Sequence, residues 1–215
     1  MSKELQKKAQ QNKEILNQKQ IWDAIAKAWN DYRQKPISKV NEFLKNKKGK
    51  ILDLSCGSGR HLLKSKDLEF YETDFSEKMI EFAKKNAEKN KIKAHFQVAD
   101  ATNLPFEDNF FDSAIYIAAL HCIQSVKDRK KSLKELFRVL KKDSEALITV
   151  WSKMHLRMKN KSKDAIVPWT FEGEKYQRYY YLYEKNELES LLKQSGFKIQ
   201  NIEESFRGII AIVTK

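Results

Sequence analysis

The segment from Lys50 to Gly59 limits what this chain can fold into more than any other part of the sequence. It reads Lys-Ile-Leu-Asp-Leu-Ser-Cys-Gly-Ser-Gly, an apolar run that ends near an acid and passes into a loop of small residues. Glycine has no Cβ and tolerates positive φ, so such a loop lets a ligand approach the backbone closely. The residues from Arg60 to Leu63 follow it and are placed to open a helix, whose first N–H groups would face the ligand. The segment therefore predicts a ligand-binding strand–loop–helix unit.

Strand-like and helix-like patterns alternate around this unit. We predict strands at 50–54, 68–74, 94–99, 111–119 and 146–151. Helices are predicted after Ser76, which is a good N-cap residue, and over 128–141, where apolar residues recur at helical spacing. The chain then closes with a helix at 184–195 and two strands at 197–205 and 208–214. This order predicts an α/β fold with a seven-stranded, mostly parallel sheet, a C-terminal antiparallel hairpin and helices on both faces.

The length of 215 residues fits a single domain with a full hydrophobic core. Residues 1–20 are polar and basic, and we predict an N-terminal arm there. The domain then covers 21–215 and starts with an amphipathic helix at 21–33. Residues 152–183 are basic and aromatic without a clear period, and they exceed the usual loop length. They are predicted to form an irregular insertion in the substrate region.

The net charge is +13, and much of it comes from two segments. Residues 1–50 carry a net charge of +8, and residues 152–178 carry one of +4. Basic patches are typical of surfaces that bind nucleic-acid phosphates, although a lysine-rich composition by itself gives the same count. We see no apolar run long enough to cross a membrane and no apolar secretion signal. Two cysteines, neither in a zinc-binding spacing, favour a reducing compartment, so we expect a cytoplasmic protein and no metal site.

Acidic residues follow the first three predicted strands, at the edge where ligands of parallel sheets bind. Asp53 lies at the end of the first strand, where its carboxylate is placed to hold the glycine loop or receive a cationic amino group. Asp74 ends the second strand, 17 residues after Gly57, and is placed to accept hydrogen bonds from both hydroxyl groups of a ribose. Asp100 follows the third strand and is placed to accept from an adenine amino group, close to the Ala101 N–H.

Each acid has a simpler interpretation as a helix cap or a turn residue, but their order along the chain favours a cofactor site. The same edge offers Gly57 and Gly59 for a close backbone approach, and Phe75 to flank an adenine. The ligand predicted from this set is S-adenosylmethionine (SAM), which combines an adenosine with a methionine group. A dinucleotide is disfavoured because Leu62 stands where the Gly-x-Gly-x-x-Gly motif requires its third glycine.

The pattern resembles the class I SAM-dependent methyltransferases over residues 36–215. The segment from Asp53 to Gly59 is similar to their first motif, Thr73-Asp74-Phe75-Ser76 to their second, and Asp100 to Pro105 with Phe111-Asp112 to the later ones. Ser55 replaces a glycine of the first motif, and Lys141-Lys142-Asp143-Ser144 replaces a Pro-Gly-Gly turn before the fifth strand. The resemblance implies a Rossmann-like fold and SAM as the cofactor.

Three further segments resemble the tRNA wobble-uridine methyltransferases, which methylate the carboxylate of 5-carboxymethyluridine. That family includes a yeast enzyme and the methyltransferase domain of a human AlkB homologue. The matching segments are Ile25 to Pro36, Ile117 to Cys122, and Val167-Pro168-Trp169 with Gln177 to Tyr183 and Glu187-Leu188. The second segment differs from the family where Cys122 replaces a second histidine. The third is the most specific, because it lies outside the cofactor motifs.

The resemblance implies roles for the residues at matching positions. Arg33 and Arg178 would hold the uridine carboxylate or a neighbouring phosphate through charge-assisted bonds, and His121 would hydrogen-bond the substrate. Ser55 and Ala118 fall within the matched segments that we assign to the cofactor site. The simpler interpretations are a surface charge for Arg33, packing against tyrosines for Arg178 and a buried packing role for His121.

The function that the resemblance implies is SAM-dependent esterification of the carboxylate of 5-carboxymethyluridine at the tRNA wobble position. The implied partners are the tRNA anticodon loop, contacted by the basic arm and residues 152–178, and a small zinc-binding activator protein. Two alternatives remain open. One is a small-molecule SAM-dependent methyltransferase acting on a carboxylic acid or a quinone-like acceptor. The other is an RNA-binding protein or scaffold that has the fold without catalysis.

Overall fold

A seven-stranded sheet forms the centre of the computed structural model, which describes residues 18–158 and 160–215. The strands are β1 (Gly49–Leu54), β2 (Leu68–Asp74), β3 (Ala94–Val98), β4 (Phe111–Ile117), β5 (Leu140–Val150), β6 (Asp164–Phe171), β7 (Glu174–Tyr181), β8 (Lys198–Ser205) and β9 (Gly208–Thr214). The order in the sheet is β3-β2-β1-β4-β5-β9-β8, and β6 pairs with β7 separately. β1 to β5 run parallel, whereas β9 is antiparallel to both neighbours. The predicted sheet and its C-terminal hairpin are confirmed.

The α-helices of the described residues are α1 (Gln18–Tyr32), α2 (Ser38–Leu44), α3 (Glu77–Asn90), α4 (Val126–Val139) and α5 (Lys185–Gln194). Alternate residues of the central strands face opposite layers. Leu52 and Tyr116 pack with residues of α4 and α5, whereas Ile51 and Ile115 pack with residues of α2. Helices therefore cover both faces, as predicted. None of the helices in the described part of the chain has the length and apolar character that crossing a membrane requires.

α1 includes residues that the sequence assigned to the N-terminal arm. The helix contains Gln18 to Gln20, and the apolar side chains of Trp22 and Ile25 are buried, as an amphipathic helix requires. The remainder of the predicted arm, residues 1–17, lies outside the described residues, so its contact with tRNA stays a prediction.

The helix after β2 begins as the sequence predicts. Ser76 is the N-cap of α3, and its Oγ accepts a hydrogen bond from the Met79 N–H at 3.1 Å. The residues of α3 that face the core are buried, namely Met79, Ile80, Ala83 and Ala87. The start of α3 therefore lies beside the end of β2, at the edge of the sheet where ligands bind.

The helix predicted from Arg60 does not form. The residues after the glycine loop make turns instead, and the Leu62 N–H donates to the Gly59 carbonyl at 3.3 Å. Only residues 60–67 separate the loop from the start of β2 at Leu68. Because a parallel connection must return along the sheet, a segment this short leaves no room for a helix of several turns.

The segment 152–183 contains a hairpin, so the prediction that it is irregular is wrong, whereas its role as an insertion in the substrate region stays a prediction. β6 and β7 pair antiparallel along their full lengths. Glu172 and Gly173 form the turn, with φ angles of +50° and +81°, and turns with two positive φ angles match the twist of a hairpin. Every residue from Arg178 to Tyr181 is buried, so β7 lacks the alternation of polar and apolar residues by which strands are recognised.

α1 connects the start of α3 to the hairpin. The Ser76 Oγ donates to Asp23 Oδ1 at 2.6 Å, which fixes α1 against α3. At the other contact, Gln18 Nε2 donates to the Gln177 carbonyl at 3.2 Å, and Gln18 Oε1 accepts from the Tyr179 N–H at 3.0 Å. The hairpin and α1 are thereby held together beside the carboxyl ends of the central strands.

We expect Gly208→Ala to lower the free energy of unfolding by about 2–4 kcal/mol. Gly208 opens β9 with a φ of +128°, and a Cβ there would lie 2.4 Å from the Val150 carbonyl oxygen. Gly173→Ala is the matched control, because its φ is +81° and nothing lies within 4 Å of an added Cβ. Only the conformational cost of about 1 kcal/mol is expected there. Urea unfolding measures both, and equal losses would show that the clash with Val150 is relieved without cost.

Candidate active site

A cavity of about 490 Å³ opens at the carboxyl ends of β1 to β4. Its wall contains seven of the residues predicted to bind the cofactor: Ser55, Gly57, Asp74, Phe75, Asp100, Ala101 and Ala118. α1 contributes Trp22 and Trp29 to the same wall. Asp53 and Gly59 belong to the same strand and loop and lie behind the lining residues. The structure thus brings the predicted cofactor residues together at one edge of the sheet.

The loop after β1 curls around one end of this cavity. Ser55, Gly57 and Gly59 have positive φ angles of +62°, +59° and +75°. A Cβ at Gly57 would meet Trp29 Nε1 at 3.4 Å, and one at Gly59 would meet the Ala83 Cβ of α3 at 3.1 Å. Ser55, which replaces the family's glycine, adopts the left-handed conformation at a cost of about 1 kcal/mol. The loop keeps its tight course despite that replacement.

Asp74 connects this loop to the end of β2. Its Oδ2 accepts a hydrogen bond from the Gly57 N–H at 2.9 Å, and its Oδ1 accepts one from the Ser76 N–H at 2.9 Å. Burial raises the pKa of Asp74 to about 6, against the lowering effect of these two hydrogen bonds. Each carboxylate oxygen has a second lone pair, so Asp74 is able to accept further hydrogen bonds from a ligand in the cavity.

Further carboxyl groups lie beneath the loop. Asp53 is only 1% exposed, and neither of its carboxylate oxygens has a hydrogen-bond partner among the described residues. The Nδ1 of buried His61 lies 3.6 Å from Asp53 Oδ2. Burial, followed by the charge of Asp53, raises the pKa of fully buried Glu72 well above its usual range. Together with Asp74, these groups make the loop end of the cavity favourable for a positively charged group.

The opposite wall is formed by residues that follow β3 and β4. Asp100 Oδ1 accepts from the Thr102 N–H at 2.7 Å, which fixes the orientation of its carboxylate. Ala118 has a φ of +54°, and its N–H donates to both the carbonyl oxygen and the Oγ1 of Thr149. Phe75 is half-buried and packs beside α1. The residues predicted from sequence to bind the adenine therefore line the same cavity.

Arg178 lies in an aromatic cage beside the cavity. Its guanidinium carbon is 4.9 Å from the ring centre of Trp169, 5.2 Å from that of Tyr180 and between 5.7 and 5.9 Å from those of Trp22 and Trp29. Its Nη1 donates to Tyr180 Oη at 2.8 Å. The side chain is 5% exposed, yet its Nε has no partner among the described residues. Arg178 is thus a desolvated cation with hydrogen-bonding capacity left over.

Two more arginines approach the same region. The Arg33 guanidinium lies 5.2 Å from the ring centre of Trp29 and 5.1 Å from that of Tyr32, and its buried Nε has no partner in the described part of the chain. Arg60 lines the cavity. Ion pairs of the described residues do not include Arg33, Arg60 or Arg178. Arg33 and Arg178, which both contact Trp29, therefore make this side of the site favourable for anions.

His121 lies behind the cavity, in contact with the arginine cage. It is 1% exposed, its Nδ1 accepts from the Trp151 N–H at 3.3 Å, and its ring packs edge-on against Tyr180. Burial, followed by the charge of Arg178, lowers the pKa of His121 to about 3. The ring is therefore neutral at pH 7. Its neighbour Cys122 lines the cavity, so the role of His121 as a direct substrate contact stays a prediction.

Trp29 and Arg60 are site residues that the sequence analysis did not assign. The predicted amphipathic helix at 21–33 includes Trp29 without a role in the site, and Arg60 is predicted only to open a helix. Trp29 lies against Gly57 and between Arg33 and Arg178. The one available signal was that Trp29 falls in a segment matched to the wobble-uridine family, as Arg33 does.

Residues 45–196, most of the chain, match a family described as a methyltransferase domain. The chain belongs to this methyltransferase family. A tRNA (carboxymethyluridine(34)-5-O)-methyltransferase of Arabidopsis thaliana is 36% identical to this methyltransferase over 134 residues, 61% of this chain and 32% of the relative. The Schizosaccharomyces pombe protein of that name is 28% identical over 210 residues, 84% of this chain and 88% of the relative. The chain spans a third or less of the length of the first curated relatives it matches.

Solved structures show the same fold. A SAM-dependent methyltransferase from Methanosarcina mazei aligns with a TM-score of 0.69 at 23% identity, over 84% of this methyltransferase and 98% of that chain. A chain from the complex between the Haloferax volcanii Trm112 methyltransferase activator and a methyltransferase aligns with a TM-score of 0.69 at 15% identity, over 90% and 96%. The Rossmann-like class I fold is therefore confirmed.

SAM is the cofactor of this methyltransferase family, and the cavity fits it. The unpartnered carboxylate of Asp53 and the buried acids around it suit a ligand with a cationic methionine group. The positive φ angles of the loop permit the close backbone approach that such a ligand needs. The individual roles of Asp74 toward the ribose and of Asp100 and Phe75 toward the adenine stay predictions.

Proposed function

We propose that this methyltransferase esterifies the carboxylate of 5-carboxymethyluridine at the wobble position of tRNA. The observation that carries the proposal is the aromatic cage around Arg178, whose desolvated guanidinium has no ion-pair partner among the described residues and lies beside the cofactor cavity. Such a group binds a carboxylate or phosphate through strong, directional hydrogen bonds. The names of the Arabidopsis thaliana and Schizosaccharomyces pombe relatives support the same substrate.

The chemistry needs positioning more than proton transfer. When bound, SAM supplies a methyl group that its sulfonium makes electrophilic. A carboxylate acceptor is ionised at pH 7, so the site requires no general base. His121 is buried and neutral, and its Nδ1 accepts a hydrogen bond from the Trp151 N–H. The absence of a requirement for a general base is consistent with this position. Arg33 and Arg178 would orient the acceptor, and the surrounding tryptophans would exclude water.

The aromatic side chains around the arginines suit a nucleobase. Trp29 lies 5.7 Å from Trp169 between ring centres, and Tyr32 lies 5.7 Å from Trp169. Tyr32 is 63% exposed, so an aromatic face is presented to solvent next to Arg33. A wobble base has to leave the anticodon stack to reach an enclosed site, and aromatic and guanidinium planes stabilise such unstacked bases.

We infer that the partners are tRNA and a small activator protein. The positive charge of residues 1–50 and 152–178 suits the tRNA backbone. The likeness to a methyltransferase chain from the Haloferax volcanii complex supports an activator of the Trm112 kind. A small-molecule carboxylic acid would use the same arginines, so the acceptor has to be decided by experiment.

The deciding experiment is methyl transfer from labelled SAM to bulk tRNA, with and without the activator, followed by mild alkali. We expect label to enter the tRNA and to leave as volatile methanol, because a methyl ester hydrolyses under these conditions. Alkali-stable label would move the reaction to another atom of the RNA. Absence of label in tRNA with the activator present, together with measurable cofactor binding, would instead favour the small-molecule acceptor.

A further inference from the structure

Arg60 is half-buried and lies on the wall of the cofactor cavity. It follows Gly59 directly, lines the cavity with Ser55 and Gly57, and takes part in no ion pair among the described residues. Burial, followed by the charge of Arg33, lowers the pKa of Arg60 to about 10, and the negative charge of Asp53 acts in the opposite direction. The group remains charged at pH 7. A desolvated guanidinium of this kind is costly unless an anion accompanies it.

The position of Arg60 indicates which anion it would bind. Arg33 and Arg178 rest on the faces of Trp29 and other aromatic residues at the acceptor side. Arg60 instead directly follows the glycine loop and lines the cavity beside Ser55 and Gly57, close enough to buried Asp53 to feel its charge. The methionine group of SAM carries one ammonium and one carboxylate. The acids beneath the loop suit the ammonium, which leaves the carboxylate without an assigned partner.

We propose that Arg60 binds the α-carboxylate of SAM and thereby positions the methionine group. The three arginines then bind two different anions. Arg60 binds the carboxylate of the cofactor, and Arg33 and Arg178 bind the acceptor. Neutralising Arg60 also removes its repulsion with Arg33, so cofactor binding prepares the neighbouring site. The inference depends on the cofactor and not on the identity of the acceptor.

The test compares two ligands that differ only at the relevant end. S-Adenosylhomocysteine carries the amino-acid group, whereas 5′-methylthioadenosine keeps the adenosine and the sulfur but lacks that group. We expect Arg60→Gln to weaken S-adenosylhomocysteine binding about 10- to 100-fold by calorimetry, the range of one charge-assisted contact. Binding of 5′-methylthioadenosine should change by less than about twofold. Arg60→Lys, which keeps the charge, should recover part of the loss.

Two control variants sharpen the result. Arg33→Gln removes a neighbouring charge of the same kind and should weaken S-adenosylhomocysteine by less than about threefold. Arg157→Gln removes an exposed arginine and should change neither ligand. The proposal is overturned if Arg33→Gln, and not Arg60→Gln, discriminates between the ligands. It is also overturned if Arg60→Gln weakens both ligands equally, which would assign it a role in loop structure only. These binding measurements do not involve tRNA, so they can be interpreted even if the protein fails to methylate tRNA.

Discussion

Replacing Arg178 with glutamine is expected to lower kcat/KM for the acceptor by about a hundredfold or more, with little change in cofactor affinity. The Nε of this buried guanidinium has no partner among the described residues, so it is able to make charge-assisted hydrogen bonds to the acceptor worth about 1.5–3 kcal/mol each. Glutamine keeps neither the positive charge nor the planar set of N–H donors. Steady-state kinetics on tRNA and calorimetry with S-adenosylhomocysteine measure the two quantities separately. Arg178→Lys should give an intermediate loss, since it keeps the charge alone.

A matched buried arginine distinguishes this role from packing. Arg129 is 3% exposed, stacks on Tyr181 at 3.8 Å and donates to the carbonyls of Ile123 and Gln124. Arg129→Gln should therefore lower the melting temperature without a comparable fall in kcat/KM of the folded protein. If both variants lose stability and kcat/KM in the same proportion, Arg178 stabilises the fold and does not bind the acceptor.

Replacing Asp74 with asparagine is expected to weaken binding of both S-adenosylhomocysteine and 5′-methylthioadenosine by about a hundredfold. Both ligands carry the ribose that Asp74 is predicted to bind. Asparagine has one acceptor oxygen, so its NH₂ group would face either the Gly57 N–H or the Ser76 N–H. Calorimetry at pH 8 measures the loss. An unchanged affinity would show that the ribose is held by other groups.

The pKa of Asp74 gives this prediction a pH dependence. Burial, with smaller contributions from the charges of Asp53 and Asp23, raises the pKa to about 6. The protonated carboxyl has lost acceptor capacity, so ligand affinity should fall as the pH drops below about 6, by up to tenfold per pH unit. The free energy of unfolding should respond oppositely. The folded state binds the extra proton between about pH 4 and 6, so Asp74 adds stability as the pH falls through that range. Asp74→Asn should remove both effects.

Much of the fold followed from local patterns, and the errors have physical causes. The predicted end of β2 at Asp74 and the predicted helix cap at Ser76 agree with the structure. Both are recognisable because a buried strand and a helix N-cap have characteristic local sequence patterns. β5, however, begins at Leu140 instead of residue 146. Its first pair is followed by a register shift, and Asp143 has a φ of +62°. An irregular strand start of this kind breaks the alternation on which strand prediction depends.

Some residues of the candidate site could be predicted from local sequence patterns, and others could not. Residues at strand ends, such as Asp74 and Asp100, could be placed because all parallel strands deliver their carboxyl ends to one edge. Trp29 could not, because its contact with Gly57 depends on how α1 crosses the domain, and nothing local in the sequence encodes that crossing. Arg60 was missed because the segment after the loop was predicted as a helix, in which a single arginine carries no special signal.

The hydrogen bonds of Gln18 to β7 affect how readily this protein pairs with other molecules through the edge of the β6–β7 sheet. A two-stranded sheet such as β6–β7 exposes unpaired backbone groups, and exposed strand edges recruit other chains into shared sheets. The single side chain of Gln18 satisfies one carbonyl and one N–H on the β7 edge, as a third strand would. The protein thus occupies part of that edge with one side-chain amide in place of a third strand, which leaves fewer free backbone groups with which a second molecule could pair.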